Sequence, residues 1–229
     1  MILIGLSVKR TIRYGQKSFS KMLDSKPRLD RDARREAILD VARDIFLAEG
    51  FAAASMSMIA AKLGGSKGTL YNYFKSKDEL FAAYVTRHCM WQSEAMFGDL
   101  RARGDIESSL IALGTSYLKL VLSDFSQANF RLIVAEAQRW PEVGRIFYES
   151  GPMNGVSRLA GFLEDAAARG QLRVDDPIRA AQQFLGLCNH LQKARQCNYM
   201  PEPTDEQIAV EVNAAVKTFM SAFGPKDCP

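Results

Sequence analysis

The chain has 229 residues, 47% of them hydrophobic and 24% charged, and its 30 Lys and Arg against 26 Asp and Glu give a formal charge of +4. That composition excludes a disordered or collagen-like polymer, and a chain of this length buries roughly 70% of its unfolded surface, so folding needs neither disulfide nor metal. The charge is uneven: residues 1–27 carry six basic groups (Lys9, Arg10, Arg13, Lys17, Lys21 and Lys26) and one acid, Asp24, whereas residues 91–229 carry fourteen bases and seventeen acids.

In chain order, residues 1–27 read as a basic extension without ordered structure. Residues 1–21 alone hold five bases and no acid. Two readings stay open for them: a basic tail following DNA phosphates, or a stretch absent from the native protein because translation begins at Met22. Helical periodicity then takes over. Between Asp32 and Glu49, the apolar residues Ile38, Val41, Ala42, Ile45 and Phe46 form one stripe, and Gly50 supplies the stop. Ser55 reads as the N-cap of a short second helix through Leu63, with Gly64 as its left-handed terminator. Ser66 caps a third helix, Lys67 to Phe74, with Leu70 and Phe74 facing inward. Ser76 caps a fourth, in which Asp78 and Glu79 suit the helix dipole and Leu80, Phe81, Tyr84, Val85 and His88 continue the inward face. Further helices are expected over Ile106–Leu122, Phe125–Ala137, Val143–Glu149, Val156–Ala168, Pro177–Cys197 and Thr204–Phe223. Among the turn signals between them are Gly104, Trp140-Pro141, Gly151-Pro152, Gly170 and Pro201-Glu202-Pro203. No strand or hairpin signal occurs, so the fold class is all-α. The expected domains are a helix-turn-helix unit over residues 28–78 and a larger helical domain over 79–229.

No apolar run reaches the roughly 18 residues of a membrane helix, and the run Met1–Val8 precedes its basic residues, the reverse of a secretory signal. A cytoplasmic protein without a membrane partner is the expectation. Of the four cysteines, Cys89, Cys188, Cys197 and Cys228, the middle pair fall on one predicted helix about 13 Å apart, too far for a bridge. With His88 and His190 the only histidines, no zinc spacing exists, and neither metal nor cofactor is expected.

The stretch from Gly50 to Lys77 contains Lys62, Lys67, Lys75 and Lys77 and no acid. A surface that meets a polyanion gains by losing carboxylates as much as by adding bases. Two short helices joined by a glycine turn, the second with small and polar residues on its free face, fit one helix lying in a major groove.

Ala60 to Leu80, reading AAKLGGSKGTLYNYFKSKDEL, closely resembles the DNA-binding signature of TetR-type transcriptional regulators, and the first helix ending in Glu-Gly-Phe matches it too. The resemblance is strong over Arg34 to Tyr84. It departs at Gly65, where the family usually has Val or Ala packing the turn. It implies that Lys67, Gly68, Thr69 and Tyr71 enter the major groove, and that Ser55, Ser57, Tyr73 and Lys77 contact phosphates. Phe130 to Pro152, reading FRLIVAEAQRWPEVGRIFYESGP, resembles the ligand-binding half of an AefR-like branch. That implies a repressor of efflux or cell-density-linked genes and says little about the ligand, while the family pattern implies a homodimer through Asp176–Cys197 and Thr204–Phe223. The aromatic residues between the fourth helix and the eighth suggest one apolar cavity and so a small apolar or amphipathic effector. Candidate effector-lining residues are Trp91, Phe97, Phe125, Phe130, Trp140, Phe147 and Phe162, with Glu136 and Arg139 as polar partners.

The reading that results is a ligand-responsive, dimeric repressor released from a palindromic double-stranded operator. Two other classes compete with it. One is a sequence-independent DNA binder without effector; the other is an all-helical enzyme, disfavoured because there is no phosphate loop, zinc helix or nucleophile elbow.

Overall fold

The computed structural model describes residues 31–98 and 105–225. The basic N-terminal extension, Gly104 and Cys228 lie outside the described residues. Within them every regular element is helical: α1 Arg31–Ala53, α2 Met56–Lys62, α3 Lys67–Tyr71, α4 Lys77–Phe97, α5 Ile106–Leu122, α6 Asp124–Ala137, α7 Pro141–Tyr148, α8 Asn154–Ala168, α9 Pro177–Cys188, α10 Gln192–Gln196 and α11 Asp205–Phe223. The helix starts follow side-chain chemistry. The hydroxyls of Ser55, Ser66, Ser76 and Ser123 and the carboxylates of Asp105 and Asp176 each accept a backbone N–H of the first turn, and Thr204 with Gln207 completes a capping box.

Two apolar clusters organise these helices. The front one unites Ile38, Ile45 and Phe46 of α1, Ile59 of α2, Leu70 and Phe74 around α3, and Leu80, Phe81, Tyr84, Val85 and Cys89 of α4, and it also takes in Ile133 of α6 and Val143 of α7. The rear one is built from α5, α8, α9 and α11, with Phe184 and Phe219 meeting edge to face at 5.3 Å between centroids. α4 passes between them, leaving Met96 and Phe97 in the rear cluster. The front core therefore continues about three helical turns beyond residue 78. Gly114 allows α5 and α11 to approach closely, since a Cβ there would lie 3.0 Å from Val212 Cγ1.

Three elements differ from expectation. α3 ends at Tyr71, and Phe74 reaches the core from a following turn in which its N–H donates to Leu70. The helix expected over Pro177–Cys197 is broken by a 3-10 turn at Asn189–Leu191. Tertiary contacts hold both sides of the break: Tyr117 donates to Asn189 at 2.8 Å, and the buried Arg195 donates to the carbonyls of Leu122 and Met200 and to Asp124. Cys188 is buried and Cys197 exposed, and neither is bridged. Finally, Gly151-Pro152 is not a turn but part of a π-helical segment, Glu149–Met153, that joins α7 to α8. The wider turn accommodates a proline that lacks an N–H and whose ring would crowd the carbonyl four residues earlier. Gly151 packs on α4, where an added Cβ would meet Cys89 Sγ at 3.2 Å.

Candidate nucleic-acid interface

α1 breaks at Gly50, whose φ of 75° only glycine adopts readily. The chain re-enters helix as α2, buries Met56, Ile59 and Ala60, and turns at Gly64, φ 63°. Ser66 then starts α3, accepting the Thr69 N–H at 3.1 Å and sharing a hydrogen bond with the Thr69 hydroxyl at 3.0 Å. Leu70 is the one buried residue of α3. Lys67, Gly68, Thr69 and Tyr71 are all exposed, Tyr71 at 46%. A helix attached by one buried leucine and its flanking turns leaves nearly its whole outer face available to a partner.

The expected phosphate contacts fare differently. Ser57 is exposed, and Ser55 is half-buried with its hydroxyl accepting from Met58 at 3.3 Å, an N-cap role that leaves the hydroxyl proton available. Tyr73 is half-buried against the front core. Lys77 is turned inward: its ammonium donates to the carbonyls of Phe51, Ala52 and Ala54 at 2.7, 3.3 and 3.0 Å and lies 4.3 Å from the Phe51 ring centroid. Three protons on three carbonyls leave none for a phosphate. Its role is to close the frayed end of α1, where unpaired carbonyls carry negative charge.

Of the other lysines in the acid-free stretch, Lys62 lies 3.6 Å from Asp44, while the side chains of Lys67 and Lys75 have no partner among the described residues. Glu79, the nearest following acid after Asp78, accepts the Lys75 backbone N–H at 2.7 Å and so is occupied at the start of α4. Arg34 opens the family-like stretch but is not among the expected DNA contacts, and α1 places it beside the turn, with Nη2 3.2 Å from where a Cβ on Gly65 would stand. It shares a shallow hollow with Ser66 and Thr69. Its spacing of four residues before Ile38 was the available signal.

The seven aromatic residues expected around an effector are distributed over several surroundings. Trp140 joins Phe51 and Phe81 in the front core, at 6.2 and 6.4 Å. Phe130 and Phe147 pair at 6.0 Å, Phe97 lies in the rear core under Arg158, and Phe162 packs against that core. Glu136 and Arg139 form no ion pair with each other. Trp91 and Phe125 share an opening, a cleft of about 460 Å³ that also holds Glu36, Asp40, Arg43, Tyr84, Arg87 and His88. Burial, with Arg87 nearby, lowers the His88 pKa to about 4, so this imidazole is neutral at physiological pH. Among the described residues no group of three metal-ligating side chains occurs, and no helix is long and apolar enough to cross a membrane.

A helix-turn-helix with an exposed, acid-free second helix, mounted on a larger helical domain, defines a DNA-binding transcriptional regulator. The family models agree. That for bacterial regulatory proteins of the tetR family matches residues 38–84, and that for the AefR-like transcriptional repressor C-terminal domain matches residues 108–225. The chain belongs to the TetR family. Among its relatives, the transcriptional activator FasR of Mycolicibacterium smegmatis is 46% identical over 106 residues, 46% of this chain and 48% of FasR, so the match spans about half of that relative. The regulator UidR of Escherichia coli K12 is 31% identical over 62% of this chain and 70% of its own. Of solved structures, the flavonoid-responsive regulator FrrA is 35% identical with a TM-score of 0.73, and a TetR-family regulator from Mesorhizobium loti is 25% identical with a TM-score of 0.75. Each match covers 85% of this chain and 99% of the other.

Proposed function

We propose that the protein is a homodimeric repressor that binds a palindromic operator through α3 and is released by a small apolar or amphipathic effector. The observation that carries the DNA half is the exposed face Lys67-Gly68-Thr69 with Tyr71, flanked by the free ammonium of Lys75 and the guanidinium of Arg34. Lys67 suits guanine O6 or N7, Gly68 permits close backbone approach, and Tyr71 suits a phosphate or a thymine methyl. Ser55, Ser57 and Tyr73 would position the domain on phosphates.

Dimerisation is proposed through α9 and α11. The outward residues of α9 are largely uncharged, Gln182, Gln183, Gly186 and Leu187, and α11 exposes Val210 at 67%. Two copies of α3 reading half-sites about one helical turn apart would multiply the specificity of a single short helix. An effector that favours a dimer whose two α3 helices stand too far apart for adjacent grooves would lower operator affinity. The names of the relatives offer two effector chemistries: FrrA is called flavonoid-responsive, and a Bacillus subtilis relative, 22% identical, is called a fatty acid metabolism regulator.

Selection of bound sequences from random DNA by the purified protein tests this reading. The expected result is a palindrome whose affinity falls when Tyr71 is replaced by Ala. Binding without sequence preference would instead make the protein a general DNA binder.

A further inference from the structure

The cleft holding Trp91 and Phe125 lies where α1, α4 and α6 meet, the three helices that connect the DNA-binding unit to the rest of the molecule. Its floor is rigid. The Tyr84 hydroxyl donates to Asn129 of α6, whose own amide donates to the Phe125 carbonyl at 2.8 Å, and the His88 ring meets Phe125 edge to face at 5.4 Å. One wall is aromatic and underused: Trp91 is 57% exposed and makes no ring contact among the described residues, and Phe125 is 39% exposed. The opposite wall is polar. Arg87 donates to the Glu36 carboxylate and backbone carbonyl and to Asp40, which also accepts from Arg43.

We propose that this cleft binds an uncharged aromatic molecule bearing hydroxyl groups. The lining carries two carboxylates and two guanidinium groups, a formal balance of zero, so a charged ligand finds no unpaired counter-charge. A ligand carboxylate would have to displace Glu36 or Asp40 from Arg87, leaving that acid unpaired. A long acyl chain would lay methylenes against the charged wall without removing enough of them from water. A ring seated on Trp91 and Phe125 gains stacking and apolar burial. Its edge hydroxyls can donate to the free lone pairs of Glu36 and Asp40, both more than half exposed, and to the imidazole of His88, which no described protein group hydrogen-bonds. The opening has the size of a small-molecule site.

Because α1 forms one wall and α6 another, an occupied cleft favours whichever spacing of these helices fits the ligand, and α1 carries α2 and α3 with it. This deepens the effector part of the function proposed above and rests on that reading for its regulatory consequence.

The test is calorimetric titration of the full-length protein with naringenin, a neutral hydroxylated aromatic, and separately with laurate. The expected result is saturable naringenin binding that weakens about tenfold in Trp91→Ala and again in Phe125→Ala, and that is unchanged in Tyr148→Ala, an exposed aromatic outside the cleft. Laurate should not compete. If Phe125→Ala does not melt like the wild type, Phe125→Leu keeps the bulk and removes the ring. Absence of naringenin binding by a cooperatively melting protein, binding indifferent to both substitutions, or displacement by laurate would each overturn the proposal. A protein that binds naringenin in this way yet selects no DNA sequence keeps the cleft and overturns the regulatory reading. One that selects a palindrome and ignores naringenin overturns the cleft alone.

Discussion

Lys77 Nζ lies 2.7 Å from the carbonyl oxygen of Phe51, and the same ammonium sits over the Phe51 ring. The first residue of α4 therefore closes the last turn of α1, across 26 positions of chain, and sets the point from which α2 departs. A lysine counted toward a basic DNA-facing surface instead holds that surface in shape.

Replacing Lys77 by Met should therefore reduce stability more than it reduces electrostatic attraction to DNA. Charge-assisted hydrogen bonds and a partly buried cation–π contact together are worth about 2 kcal/mol, to be read from urea denaturation. The salt dependence of operator affinity should keep its wild-type slope, because the number of neutralised phosphates stays the same. A flatter salt slope with unchanged stability would return Lys77 to the phosphate-contacting set.

Lys75 and Lys67 should behave in contrasting ways. Lys75→Ala is expected to weaken operator and random DNA alike and to flatten the logarithmic salt dependence by about 0.9 for each phosphate no longer neutralised, with two copies per dimer. Lys67→Ala and Tyr71→Ala should weaken the operator far more than random DNA, by about 1 to 3 kcal/mol for each base contact. Competition titrations over a range of salt concentrations separate the two patterns.

His88 gives stability a pH dependence of definite sign. Its folded pKa is depressed to about 4 by burial, with Arg87 adding to the shift, while an unfolded histidine titrates near 6.5. The unfolded chain then binds the extra proton, so the contribution is fully present above the unfolded value and is lost as pH falls toward 4. Between pH 7 and pH 5 the loss from this residue alone is about 2 kcal/mol. Denaturant titrations should show it in the wild type and not in His88→Phe, whose ring does not titrate.

Gly64 and Gly65 are adjacent and should respond oppositely. Gly64 has φ 63°, so Gly64→Ala strains the backbone and destabilises by about 1 kcal/mol. Gly65 has no such φ, and a new Cβ would meet only the tip of the Arg34 side chain at 3.2 Å, which can move. Gly65→Ala should then stabilise by about 0.4 to 1 kcal/mol through the unfolded chain. Thermal melts of the two variants check both signs, and they also show whether the glycine at this departure from the family pattern loosens the turn.

Local chemistry was legible residue by residue. Apolar residues at helical spacing located α1, caps at Ser55, Ser66 and Ser76 located the next three starts within a residue, and Ile106–Leu122 appears with the limits its pattern implied. These signals are local because each depends on groups within one or two turns. The uneven charge along the chain told less than its gaps did. The acid-free run from Gly50 to Lys77 marked the face that carries α3, yet two of its four lysines are engaged within the protein.

What composition, periodicity and motif determined by themselves was an all-helical regulator with a short exposed helix starting at Lys67. Tertiary structure alone decided the rest: that Lys77 faces inward, that Arg34 stands beside Thr69, that the long penultimate helix breaks where Asn189 meets Tyr117, and that Trp91 and Phe125 share a cleft while Trp140 does not join them. The physical reason is the same in each case. A helical pattern states which side of a helix is apolar, but what a side chain touches depends on partners tens of residues away, whose positions no local spacing encodes.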